Sequence, residues 1–417
     1  MGVHLCLSVV AIYRICQFSS RLRIIPTMKL STRMARLGTE TAFDVLVRAR
    51  QLEAQGKDII HLEIGEPDFD TPQNIVDAAV SALRSGAHHY GPSPGLPALR
   101  EAIAKDVSAR RGVSVDSAEV VVTPGAKPIM FFTIMALIDP EDEVVYPNPG
   151  FPIYESMIEY VGAKAVPVPL LEQRNWSLDV EALASAVNEK TKLLILNSPH
   201  NPTGGVIPLD DLKRIAEIVS GYDFMILSDE IYSRVLYSGE YHSLLSFPGL
   251  KDRIILLDGF SKIYAMTGWR LGYGVMPADL AKQISKLQTN SNSCTATFTQ
   301  IAGVEALTGD QSTTEAMVEE FRKRRDLIVN GLNAIPGFQC KSADGAFYAF
   351  PNVTRFGLPS KKLADRLLEQ AGVACLSGTA FGAWGEGYLR FSYANSQEKI
   401  REALSRIRSL VQDYKLV

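Results

Sequence analysis

Apolar positions along the chain follow two spacings. Thr41 to Gln55, Asn74 to Ser85, Asp279 to Ala306, Thr313 to Leu332 and Lys361 to Ala371 repeat them at helical intervals. Short, nearly continuous apolar runs bounded by turn residues read instead as strands: Ile59 to Ile64, Glu119 to Thr123, Glu143 to Tyr146, Leu193 to Leu196, Phe224 to Leu227 and Ile254 to Leu257. Most of these runs are separated by enough residues for a helix. Strands that are apolar along their whole length and alternate with helices predict a mostly parallel sheet covered on both faces, an α/β fold. Leu271 to Val275 follows the preceding run after only 13 residues, tight for a helical crossover, so it is expected to pair antiparallel.

Past Ile335-Pro336-Gly337 the pattern restarts with strand-like Ala346 to Phe350 and Tyr388 to Ser392. A smaller α+β unit built from residues 28–75 and 331–417 is therefore expected beside a large unit over 76–330. The charged helix Thr313 to Leu332 is placed to bridge the two. No internal repeat or low-complexity tract interrupts the chain.

Composition narrows the classes. The 417 residues are 46% hydrophobic and 21% charged, with a net charge of -3, which argues against a disordered chain or an electrostatic nucleic-acid binder. Small molecules and copies of the same chain are the expected partners. Five cysteines, at 6, 16, 294, 340 and 375, form no CxxC pair, and the histidines form no HExxH, so a reduced, cytoplasmic setting without a built-in metal is expected. Residues 1–27 depart from this picture. The first acid is Glu40, while Arg14, Arg21, Arg23, Lys29, Arg33 and Arg36 accumulate before it. The apolar stretch Val3 to Cys16 is too short for a membrane span and lacks basic residues ahead of it, so the segment reads as an extended leader, an organellar targeting sequence or a membrane-associated helix. No integral membrane segment is expected.

In open α/β sheets ligands bind beyond the carboxyl ends of the strands, so the polar residues there matter most. Thr123-Pro124-Gly125-Ala126-Lys127 turns into an apolar helix, and a glycine turn feeding a helix N-terminus suits a phosphate. After Leu196 comes Asn197-Ser198-Pro199-His200-Asn201-Pro202-Thr203-Gly204, placing the amide of Asn201 at a strand end. After Leu227 comes Ser228-Asp229-Glu230-Ile231-Tyr232, a carboxylate and then a phenol. After Leu257 comes Asp258-Gly259-Phe260-Ser261-Lys262, followed by Met266-Thr267-Gly268-Trp269-Arg270-Leu271-Gly272. A lysine among small and apolar residues loses its charge by desolvation and becomes nucleophilic, and an arginine supplies a fork for phosphate. Each feature alone is ordinary: a turn, a helix cap, a surface lysine. Together they supply what pyridoxal 5'-phosphate requires: an amine for a Schiff base, a carboxylate for the pyridine nitrogen, donors for the ring oxygen and cations for the phosphate.

At these residues the sequence resembles the class I/II aminotransferases, fold-type I pyridoxal-phosphate enzymes, over about residues 30 to 415. The resemblance implies a large domain with a mostly parallel mixed sheet, a smaller domain from both chain ends, and a homodimer with shared sites. It implies that Lys262 carries the cofactor and shuttles the substrate proton, that Asp229 holds the pyridine nitrogen protonated, and that Asn201 and Tyr232 bond the ring oxygen. Phe151 would stack on the ring. Gly125, Ala126, Lys127, Ser261 and Arg270 would hold the phosphate, and Tyr90 would reach the phosphate of a neighbouring subunit. Arg390, in Leu389-Arg390-Phe391-Ser392, would clamp the substrate α-carboxylate, and Gly65, in Gly65-Glu66-Pro67-Asp68, would approach the substrate with its backbone. Two positions depart from many relatives: Gly259 stands where they carry a phosphate-binding serine, and Pro128 where they carry glutamine. Lys127 matches a lysine that binds the distal carboxylate in aspartate-using members. The implied reaction moves an amino group from an L-amino acid, first aspartate, otherwise an aromatic or neutral one, to a 2-oxo acid such as 2-oxoglutarate. A C–S β-lyase on the same scaffold, and a homologue that has lost catalysis, are the alternatives.

Overall fold

The computed structural model describes residues 28–413. Readings that concern residues 1–27 lie outside it. Its first strand, β1 (Ile60–His61), is shorter than the predicted Ile59 to Ile64. The predicted central runs appear as β2 (Val120–Thr123), β3 (Glu143–Asn148), β6 (Thr191–Asn197), β7 (Met225–Asp229) and β8 (Ile254–Gly259), with β4 (Lys164–Leu171) and β5 (Ser177–Leu178) between β3 and β6, and β9 (Gly272–Val275) after β8. These eight strands form one mixed sheet in the order β2-β9-β8-β7-β6-β3-β4-β5. The neighbours from β8 through β7, β6 and β3 to β4 are parallel, and β9 runs antiparallel to both β8 and β2, as the short connection requires.

Successive side chains of a strand point to opposite faces, and here both faces are buried. Leu194 and Leu196 of β6, Ile226 of β7 and Ile254 and Leu256 of β8 enter one core, while Leu193, Ile195, Leu227, Ile255 and Leu257 enter the other. That double burial is why the runs carry no polar alternation. Each fully buried Ile or Leu is worth about 1.5–3 kcal/mol relative to exposure.

The remaining strands are β10 (Tyr348–Ala349), β11 (Val373–Ala374), β12 (Leu376–Ser377) and β13 (Leu389–Ser392). β13 lies between β10 and β12 in a three-stranded antiparallel sheet, and β1 pairs parallel with β11, Ile60 opposite Val373. An early segment thus joins late ones. The helix Ser312–Asn333 touches both regions, since its Arg324 bonds Asp68 at 2.6 Å and its Arg325 lies 4.9 Å from the Tyr237 ring.

The predicted helix over 279–306 is two helices, Ala278–Asn292 and Thr297–Thr308. Ser293, at φ 64, breaks the run. The Asn290-Ser291-Asn292-Ser293 stretch consists of weak helix formers whose side chains compete for backbone hydrogen bonds. Among the described residues no helix is long and apolar enough to cross a membrane.

Candidate active site

Because β9 opposes both β2 and β8, the carboxyl ends of β2, β8, β7 and β6 share one edge of the sheet. Thr123, Gly259, Asp229 and Asn197 are the last residues of those strands. Beyond that edge lies a cavity of about 530 Å³. It brings together Gly65, Ala126, Lys127, Phe151, Asn201, Asp229, Tyr232, Ser261, Lys262, Arg270 and Arg390. Gly125 stands just behind its wall. Tyr90 stands outside the lining and is 88% exposed.

The Lys262 Nζ reaches into the cavity and donates to the carbonyl of Gly65 at 2.6 Å. Gly65 has no side chain for a physical reason: a Cβ there would lie 2.1 Å from the hydroxyl of Tyr348. Burial, above all, lowers the Lys262 pKa from 10.5 to about 8, with Arg390 and Lys127 adding to the effect and Glu66 and Glu40 opposing it. At neutral pH a useful fraction of this amine is therefore unprotonated.

Asp229 is buried, which pushes its carboxyl up to about 6 against the hydrogen bonds that hold it charged. Those bonds come from the Tyr154 hydroxyl at 2.6 Å and the Ile231 N–H at 3.2 Å. A cation brought to Asp229 would restore its charge. The adjacent Glu230 has its own partner, since Arg111 donates to it at 2.8 Å.

The Asn197 amide fixes the next loop by donating to the Asp229 carbonyl at 3.0 Å and accepting from the Asn201 N–H at 2.9 Å. Asn201, which lines the cavity, then accepts from Arg390 through its Oδ1 at 3.1 Å. Tyr232 shares a hydrogen bond with Tyr348 at 2.7 Å. Arg390 is buried, lies 4.6 Å from the Tyr348 ring and 4.8 Å from the Phe381 ring, and donates to the Glu63 carbonyl. Its Nε is buried without a partner among the described residues. An unpaired buried guanidinium nitrogen is costly, and an incoming carboxylate would satisfy it.

At the phosphate end, the helix Lys127–Leu137 presents its N-terminus, and Pro128 sits in the first turn where a missing N–H costs nothing. Gly125, at φ 89, allows the Arg270 guanidinium to lie against the turn, since a Cβ there would stand 2.2 Å from its Nη2. Gly259 has a packing reason as well: a side chain would meet the Gly272 Cα of the neighbouring strand at 3.0 Å. Ser261, buried and lining the cavity, is the serine placed nearby. The unpaired Arg390 nitrogen, the glycine cradle and the cation-deficient Asp229 therefore fit pyridoxal 5'-phosphate with an amino-acid substrate.

The description "Aminotransferase class I and II" matches residues 57–407. The chain belongs to that family. Its members are pyridoxal-phosphate-dependent, and this aminotransferase is similar to several characterised ones. It is 40% identical over 377 residues to the aspartate aminotransferase of Pyrococcus horikoshii, covering 89% of this chain and 94% of that one. Among solved structures, the Thermus thermophilus aspartate aminotransferase with maleate superposes with a TM-score of 0.88 at 36% identity, covering 92% of this chain and all of that one. The aromatic aminotransferase of Pyrococcus horikoshii gives a TM-score of 0.84 at 40% identity, over 88% of this chain and all of that one.

Four residues lining the cavity stand outside the candidates read from the sequence. Asn197 carries a usable signal, as the polar residue ending β6. Tyr154, in the first turn of the helix Ile153–Val161, follows Phe151 by three residues, and the two rings meet edge to face at 5.6 Å. Tyr348 and Glu40, which also line the cavity, lie far along the chain from their partners and give no local sign.

Proposed function

We propose that this aminotransferase uses aspartate as amino donor and 2-oxoglutarate as acceptor, with Lys262 at its catalytic centre. The observation carrying the assignment is the depressed amine of Lys262, held on the Gly65 carbonyl within one cavity that also contains Asp229, Tyr232, Arg270 and Arg390. When bound, pyridoxal phosphate supplies an electron sink for the electrons of the substrate Cα–H bond. Lys262 would hold the cofactor through its aldehyde carbon and, once freed by the incoming amino acid, would move a proton from the substrate α-carbon to that cofactor carbon. Asp229, kept in register by Tyr154, would hold a proton at the pyridine nitrogen. Asn201 and Tyr232 would donate to the ring oxygen, and Phe151 would cover one ring face.

Gly125, Ala126 and Lys127 at the helix N-terminus, with Ser261 and Arg270, would hold the phosphate. Arg390 takes the substrate α-carboxylate, which orients the Cα–H bond for abstraction. The Lys127 side chain faces the substrate's distal carboxylate. The relatives' names support transamination over the lyase, and the complete residue set argues against a homologue without catalysis. An amino-acid panel with 2-oxoglutarate, pyruvate and oxaloacetate as acceptors tests the choice. Lys127→Ala should weaken aspartate and glutamate about tenfold more than phenylalanine or alanine, and equal losses would refute the assignment.

The exposed Tyr90 supports a homodimer in which it reaches the partner's phosphate site; sedimentation as a monomer would refute this. The β1–β11 pairing supports the division into 28–75 with 331–417 and 76–330. Free thiols at Cys294, Cys340 and Cys375 support a cytoplasmic location.

A further inference from the structure

Lys127, assigned above to the distal carboxylate of a substrate, already holds a carboxylate from this chain. Glu40 forms an ion pair with its Nζ. Both side chains line the cavity, Lys127 at 45% and Glu40 at 18% exposure. The Glu40 carboxylate also acts electrostatically on Lys262, Arg390 and Tyr348, which places it at the substrate end of the site.

The local backbone explains how it is presented. Glu40 is extended, at φ -81 and ψ 109, immediately before the helix Thr41–Ala54. Just upstream, Arg36 donates to the carbonyls of Glu159 and Tyr160 at 2.8 and 3.2 Å, and Gly38 exchanges two hydrogen bonds with Ser156 at 2.9 and 3.1 Å. These anchors fasten the segment to the helix Ile153–Val161 two residues before Glu40, so that releasing Lys127 asks only the Glu40 side chain to move. Lys127 has a second support, since its Nζ lies 5.4 Å from the Phe151 ring centroid. It therefore keeps its place when Glu40 swings away. The cavity that holds the pair also carries apolar residues, among them Ala42, Phe43, Ile64, Leu376 and Phe381.

We propose that Glu40 is a specificity residue, a built-in carboxylate that occupies Lys127 until the distal carboxylate of a dicarboxylic substrate displaces it. With a neutral or aromatic substrate Glu40 stays in place, and the side chain meets a charge-balanced apolar wall rather than a bare ammonium. Aspartate and glutamate must compete with Glu40, whereas phenylalanine does not. The proposal rests on the assignment of Lys127 to the distal carboxylate.

The test uses the holoenzyme and its E40Q, K127A and E40Q/K127A variants, with E40A as a second form lacking the carboxylate. Two readouts are kcat/KM for aspartate and phenylalanine, and the concentration of maleate, an unreactive dicarboxylate, that half-maximally raises the melting temperature. A partly exposed ion pair is a modest competitor, so E40Q and E40A should raise aspartate kcat/KM about three- to tenfold and lower the maleate concentration by the same factor. Phenylalanine should be used about threefold less well, because Lys127 is left unbalanced. In the K127A background E40Q should strengthen maleate binding far less than it does in the wild type. If K127A weakens aspartate and maleate but E40Q and E40A do not strengthen them, the competitor role of Glu40 fails while the Lys127 assignment survives. If K127A affects neither, the assignment itself fails, and the proposal with it.

Discussion

Replacing Lys262 by methionine gives a test that does not depend on catalysis. The folded protein releases the Lys262 proton at about 8, whereas the unfolded chain keeps it to 10.5. Between those values the unfolded state binds more protons, so stability rises with pH there and the full penalty is present below pH 8. The 2.5-unit difference corresponds to a penalty of about 3 kcal/mol at pH 7, which falls to about 1.4 kcal/mol at pH 9.5. Methionine has a similar length and no charge, so it removes the penalty but also the bond to the Gly65 carbonyl, a loss of about 1.5–3 kcal/mol. The pH dependence isolates the charge. Urea unfolding of the cofactor-free wild type and Lys262→Met, at equal concentration, should show the wild type gaining about 2 kcal/mol on the variant between pH 7 and 9.5. A stability difference independent of pH would refute the claim that burial depresses this amine.

Other residues give further expectations. Gly125→Ala forces a Cβ onto the Arg270 guanidinium at a left-handed φ, so cofactor affinity, measured by titrating the cofactor-free protein, should fall about tenfold or more. Tyr154→Phe removes a hydrogen bond to the charged form of Asp229, raising its pKa above 6, so the acid limit of cofactor binding should move up by about one pH unit. No movement would separate Tyr154 from the ring-nitrogen site. Arg390→Lys loses the two-pronged grip on the α-carboxylate and should lower kcat/KM by about 10- to 100-fold for aspartate and phenylalanine alike. A loss confined to aspartate would place Arg390 at the wrong carboxylate.

The parallel part of the sheet was legible because its strands are buried on both faces and read as unbroken apolar runs. The polar residues that end those runs were legible for the same reason, since a strand end fixes where Asp229 and Asn201 must lie. β4 was not. Its Pro167 and Pro169 disguise a strand, yet they are tolerated because little of β4 beyond Leu170 and Leu171 has a partner on its outer side. The site's supporting contacts were hidden by distance along the chain. Tyr154 meets Asp229 across 75 positions, Tyr232 meets Tyr348 across 116, and Glu40 meets Lys127 across 87. Only folding brings these pairs together, and no periodicity encodes them.

The central claim is that Lys262 carries the cofactor. Reduction of the holoenzyme with borohydride, followed by proteolysis and mass analysis, should place one pyridoxyl group on the peptide containing Lys262 and none on wild-type peptides containing other lysines. A group on Lys127, or none on any lysine in a protein that retains transaminase activity, would contradict the account.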